Sequence, residues 1–197
     1  MEKILEYLES YYPLDEELKV LLSRTLKRKN LRKKDFLLRA GNVCENIYFI
    51  EEGLLRCFYM KEEKEVCSWF MKEGDVAIAV TSFFKQIPSY EWIQALEDTV
   101  LEYISFQELH HALRHFPSFN FIRAAILEKY YILSEDRLYS MRMHSAAERF
   151  DYIYEHYLEL VQRVPSMYIA SYLGITKEHL SLIKGKMEYG NNGSNRE

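Results

Sequence analysis

The hydrophobic period of this chain changes at Asp35 and changes back at Ser105, and any fold must accommodate both switches. Between them lie short runs rich in β-branched and aromatic residues: Phe36–Arg39, Ile47–Ile50, Leu54–Met60, Val66–Phe70, Val76–Val80, Trp92–Leu96 and Val100–Ile104. Turn-forming stretches separate them, at Gly41-Asn42, Glu52-Gly53, Lys61–Lys64, Glu73–Asp75 and Glu97-Asp98. Many short strands at this spacing predict a sandwich or a small barrel. A doubly wound sheet does not fit, because no glycine-rich phosphate loop and no alternation with helices is present.

The flanks read as helices. Residues 1–30 place Ile4, Leu5 and Leu8, then Leu18, Leu21, Leu22 and Leu26, at helical spacing, with Asp15 as a candidate cap. Six of the eight residues from Lys27 to Lys34 are basic and read as a solvated surface. Phe106–His115 forms a short amphipathic helix stopped by Pro117, and a long helix follows over 118–141. That helix has two apolar stripes. Phe119, Ile122, Ile126, Tyr130 and Leu133 make one; Leu127, Tyr131 and Leu138 make the other. A helix apolar on two faces must bury both. One face is expected on the barrel and the other on a second copy of the chain, with Phe119, Ile122, Ile126, Tyr130 and Leu133 assigned to the dimer. Another helix is expected over 145–160, turning Phe150, Ile153, Tyr154, Tyr157 and Leu158 inward, and the polar tail 188–197 is expected to fray.

The most informative segment runs from Arg163 to Met187. Ser166 can cap a short helix burying Ile169, Ala170 and Leu173, and Gly174 can end it in the left-handed conformation. Thr176 can cap a second helix with Glu178 in its first turn and Leu180 and Ile183 facing inward. Two short helices around a tight glycine turn make a helix-turn-helix, whose second helix reads the major groove. Lys177, Glu178, His179, Ser181 and Lys184 would then face outward, and Ser166, Tyr168 and Thr176 complete the candidate DNA-contacting set. Net charge is −4 for the whole chain but +3 between Val161 and Met187, where four bases meet one acid. Bulk attraction to nucleic acid is therefore excluded, while a local contact is favoured.

Other classes are weaker. No apolar run approaches the roughly 20 residues that span a bilayer, and the start has no signal-peptide core, so no membrane partner and a cytoplasmic location are expected. Cys44, Cys57 and Cys67 lack metal or disulfide spacing and read as buried thiols in strands. His110, His111 and His115 share one helical segment without an acidic partner, and no nucleophile-elbow motif is present, so neither a metal site nor an enzyme is expected.

With these segments in place, the chain resembles the cyclic-AMP receptor protein/FNR-type (CRP/FNR) family of bacterial transcription regulators, in the variant common in Bacteroidetes. The marks are Ile169–Thr176, Gln94–Thr99, Phe36–Gly41, Ile47–Gly53 and Glu73-Gly-Asp75, in that family's spacing. The resemblance implies an α+β chain. Residues 1–117 would form a double-stranded β-helix (jelly-roll) barrel of cyclic-nucleotide-binding type with N-terminal helices, 118–141 the dimerisation helix, and 142–197 a winged helix-turn-helix. It implies a homodimer on a two-fold-related site in double-stranded DNA, a small effector in the barrel, and RNA polymerase as a further partner. Thr81, Ser82, Ser89, Tyr90 and Glu91 would line the effector pocket by family position. The arginine that holds a cyclic phosphate falls near Pro88, and a buried phosphate without it lacks a bidentate partner, so the effector is not expected to be cyclic AMP. Lys177 and Glu178 match base-contacting positions, but the third, usually arginine, is Leu182. The iron-sulfur cysteines of oxygen-sensing members are absent. The rival reading is a ligand-binding or interaction module of the same fold that has lost DNA binding.

Overall fold

The computed structural model describes residues 2–193, with side chains through Lys186. Backbone packing divides the chain into two units. The first runs to Tyr59 and resumes over Ser68–Ile132; the second takes Met60–Cys67 and the chain from Leu133 on.

The first unit opens with helices α1 (Glu2–Glu9) and α2 (Glu16–Thr25). Strands β1 (Lys27–Leu31), β2 (Phe36–Leu38), β3 (Asn46–Glu52), β4 (Leu55–Lys61), β5 (Lys64–Met71) and β6 (Val76–Ala77) follow. Helix α3 (Val80–Lys85) precedes β7 (Trp92–Ala95) and β8 (Thr99–Ser105). Helix α4 (Phe106–His115) and the long α5 (Phe119–Met143) come next. Two four-stranded sheets form, ordered β1-β8-β3-β6 and β2-β7-β4-β5. The non-sequential neighbours β8 and β3 pair antiparallel, as do β2 and β7, which is the crossover of a jelly roll rather than a meander. Between the sheets lie Leu38, Ile50, Leu55, Phe83, Ile93 and Leu101, all buried.

Six of the seven expected strands are present; of the seventh, Val76–Val80, only Val76–Ala77 is strand, and Val80 opens α3. The basic run is not merely solvated surface: Lys27–Leu31 is β1, paired to β8 alone, and Leu31 is its buried residue. A strand at a sheet edge can keep its remaining side chains in water, so lysines do not disqualify it. Asp15 occupies the N-cap of α2 without capping through its side chain; its carboxylate accepts from Ser118 Oγ at 2.6 Å. Ser105 and Glu108 form a reciprocal capping box at α4.

The α5 stripe assigned to the dimer is covered, at its start, by its own unit. Phe119 and Ile122, assigned to the dimer, are 6% and 1% exposed, buried with Leu8, Leu18, Leu22 and Leu113 of the same unit. Ile126 packs at the edge of that cluster, and the Tyr130 hydroxyl meets the backbone of Val76. Phe121, Ile132, Tyr139 and Met143 of α5 are exposed, as are Leu127, Tyr131, Leu138 and Met141, which with Ala124 and Ser134 recur every three and four positions.

The second unit holds α6 (Ala146–His156), α7 (Leu158–Arg163), α8 (Ser166–Leu173) and α9 (Lys177–Gly193). It also includes the β4–β5 hairpin tip, whose Glu65 carbonyl and Cys67 N–H bracket the Ser171 hydroxyl at 2.9 and 3.0 Å. The expected 145–160 helix breaks at Tyr157 (φ −137°, ψ 41°), so Tyr154, Tyr157 and Leu158 are exposed rather than inward. Phe150 alone of the five is buried. No strand follows Ser105 among the described residues. Helix α9 continues through Gly193, into the stretch expected to fray; residues 194–197 lie outside the described residues.

Candidate nucleic-acid interface

The candidate site is built from α8, a three-residue turn and α9. Pro165, not Ser166, takes the N-cap position of α8, and Ser166 is its first residue. Ile169, Ala170 and Leu173 are buried on one side of α8; Leu180 and Ile183 are buried on one side of α9. Gly174 sits at φ 72°, ψ 30°, its N–H bonding back to Ala170 and Ser171 carbonyls. That left-handed closure reverses the chain within one residue. Thr176 Oγ1 then accepts the His179 N–H at 3.2 Å, the cap expected for α9.

Two arginines that sequence reasoning did not single out fix the end of α8. Arg149 donates to the carbonyls of Leu173 at 2.8 Å and His144 at 2.6 Å. Arg137 donates to the Tyr172 carbonyl at 3.3 Å and stacks 3.6 Å from that ring's centroid. Cations at a helix C-terminus satisfy its last carbonyls and oppose its negative end. Both arginines precede α8 by more than a dozen residues, so no local motif announces them.

Lys177, Glu178, His179 and Ser181 are exposed on α9. The Glu178 carboxyl is held below its ordinary pKa by its own backbone N–H and by Thr176, so it stays anionic. Lys184 departs from expectation. It is half-buried, its ammonium 3.4 Å from Ser166 Oγ and 5.7 Å from the Phe150 ring centroid, and does not project with the others. Tyr168 is half-buried, and Leu182 is 66% exposed.

The five candidate effector residues surround α3 and the segment after it. Ser82 is buried and committed: Oγ accepts from Cys44 N at 2.9 Å and donates to the Ile87 carbonyl at 2.6 Å. Ser89 is buried and bonded to the Glu91 backbone on both sides. Thr81 and Tyr90 share a 3.3 Å hydrogen bond, and Glu91 accepts from Tyr59 at 3.2 Å, with burial raising its pKa. None of the five lines a cavity of about 300 Å³ in this unit, which is bounded instead by Phe36, Leu38, Arg39, Asn42, Asn46 and Tyr48. Arg39 stacks 3.9 Å from the Phe36 centroid at its rim. Cys44, Cys57 and Cys67 are buried thiols, the first in the loop before β3 rather than in a strand. Among the described residues no cluster of three metal-ligating side chains occurs, and no helix is long and apolar enough to cross a membrane.

A jelly roll with a short helix after the Gly74-Asp75 corner is followed in the chain by a helical C-terminal unit. Residues 28–116 match the cyclic nucleotide-binding domain family. The chain shares its fold with solved bacterial proteins. It is similar to a CooA mutant from Carboxydothermus hydrogenoformans (18% identity, 89% of this chain and 81% of that one, TM-score 0.70). It is similar also to FixK2 from Bradyrhizobium japonicum (17% identity, 84% and 86%, TM-score 0.71). The catabolite activator protein of Thermus thermophilus shares 17% identity over 94% and 88% of the two chains, with TM-score 0.56. No match was found among curated protein sequences.

Proposed function

We propose that this chain is a cytoplasmic DNA-binding transcription regulator acting as a homodimer. The observation that carries the reading is α9. It is anchored from beneath by Leu180 and Ile183, capped by Thr176, and presents Lys177, Glu178, His179 and Ser181 to solvent. A helix so mounted can enter a major groove with its first turns at base edges. The second copy is supported by the exposed stripe Leu127, Tyr131, Leu138 and Met141 on α5, whose spacing is that of a two-stranded coiled coil. In this reading the dimer binds a two-fold-related site and meets RNA polymerase there. Its effector is a small molecule other than cyclic AMP, because Ser82 and Ser89 are already bonded to backbone. Arg39 is the cation at the cavity rim available to an anionic group.

The inward turn of Lys184 favours one second reading, a module of this fold that no longer binds DNA. A gel shift of the purified chain on its own upstream region separates the two. The regulator is expected to shift that DNA at low salt, with affinity falling linearly in log–log form as salt rises. No shift at low salt, with or without the small molecules found bound by mass spectrometry, would leave the module reading standing.

A further inference from the structure

The solvent face of α9 carries a side chain that cannot make a hydrogen bond. Leu180 and Ile183 define the buried side. Positions three, four and seven apart share one face of a helix, so Glu178, Ser181, Leu182 and Gly185 lie together on the opposite side. Leu182, 66% exposed, is the large apolar side chain on that face. Gly185 lies one turn beyond it, and a Cβ there would meet nothing within 4 Å. Glycine inside a helix costs about 1 kcal/mol relative to alanine. Among the described residues no neighbour occupies the space a Cβ would take, so the bare backbone there is open to a group approaching from outside.

We infer, on the strength of the DNA-binding reading above, that Leu182 sets the sequence specificity of α9 by packing on the 5-methyl group of a thymine, with Gly185 admitting the groove edge. Base edges in the major groove are donors and acceptors, with one apolar exception, the thymine methyl. Leucine pressed on a guanine or cytosine edge would strip water from groups it cannot satisfy. On a thymine methyl it removes apolar surface from water on both partners. Arg163 is paired with Glu159 and Lys184 turns inward, which leaves exposed Lys177 and Lys186 against the single acid Glu178 over residues 161–187; that positive balance makes nucleic acid, rather than a protein face, the fitting occupant. Glu178, on the same face one turn earlier, can accept from a cytosine amino group.

The test begins with a site selected from random duplexes by the full-length protein. Each thymine of that site is then replaced by deoxyuridine, which deletes only the methyl. Wild type is expected to lose about threefold to tenfold in affinity at one symmetry-related thymine pair. Leu182→Ala should bind thymine and deoxyuridine duplexes equally, and Gly185→Ala should bind the selected site more weakly while melting no lower than wild type. A wild type that selects a site yet is insensitive to every deoxyuridine overturns the inference and leaves DNA binding intact. A Leu182→Ala variant that keeps the methyl preference overturns it as well. If no sequence is enriched and no salt-dependent binding is seen, the DNA-binding reading has failed and the inference falls with it.

Discussion

The phenol oxygen of Tyr130 accepts a hydrogen bond from the backbone N–H of Val76 at 2.7 Å. The same hydroxyl lies 3.4 Å from a carboxylate oxygen of Asp75, whose pKa is raised by burial. The long helix is thus tied to the Gly74-Asp75 corner through one side chain. Tyr130→Phe removes the acceptor and leaves the Val76 N–H without it, at a cost of about 1–2 kcal/mol. Urea unfolding should resolve this as a lower midpoint at unchanged slope; a midpoint equal to wild type would show that water replaces the bond at no cost.

Gly53 and Gly174 both have positive φ, 103° and 72°, but their surroundings differ. A Cβ on Gly53 would lie 2.5 Å from Thr99 Oγ1 and 2.6 Å from the Asp98 carbonyl; on Gly174 its near neighbour is Met141 Cε at 3.8 Å. Gly174→Ala therefore meets backbone strain alone, about 1 kcal/mol. Gly53→Ala meets strain and collision, about 3 kcal/mol or more. Thermal melts of the two variants should keep this order, and equal melting temperatures would contradict it.

Glu108 combines the α4 capping box with an ion pair to Lys27 at 2.9 Å. Burial would raise its carboxyl pKa, but hydrogen bonds from Ser105 and Lys27 prevail and hold it at about 2, against an ordinary 4.5. A depressed acid contributes stability above its unfolded pKa and loses it as pH falls through the folded one. Glu108→Gln should thus be about 1 kcal/mol less stable at neutral pH, the pair being partly solvent-screened. The deficit should shrink between pH 4.5 and about 2. A difference that does not vary across that window would rule out the linkage.

The covered and exposed faces of α5 make opposite predictions for two apolar positions. Leu138 is 45% exposed and Phe119 is 6% exposed. Leu138→Glu should halve the sedimentation mass while leaving the helical circular dichroism unchanged. Phe119→Ala should leave the mass of the folded species unchanged and lower unfolding stability by about 3–5 kcal/mol. A dimer that survives Leu138→Glu combined with Tyr131→Lys would take this face out of the interface.

How far these features were legible follows from what kind of information fixes each. Ser105 with Glu108, and Thr176 after Gly174, are local devices; their partners lie within three residues, and the sequence displays them. The strands of the barrel were visible because alternating apolar residues and turns are local too. Strand β1 was hidden because Leu31 is its buried residue and its pairing with β8 joins positions about seventy apart. The α5 stripes could be seen but not assigned: both are apolar, and only the positions of α1, α2 and α4 decide which is covered. For the candidate site, Lys177, Glu178, His179 and Ser181 lie where their spacing put them, whereas Lys184 turns to Phe150 and Ser166. Arg137 and Arg149 were illegible because their acceptors are carbonyls far along the chain.

The three cysteines, all buried, have a practical corollary. A maleimide dye reacts with an accessible thiolate, and burial raises the Cys44 thiol pKa further. A cysteine introduced at exposed Ser181 would then be labelled far faster than any native thiol, without first stripping the chain of its own. Helix α9 can in this way carry a fluorophore on the otherwise native protein, and the proposed encounter with a duplex can be followed in real time.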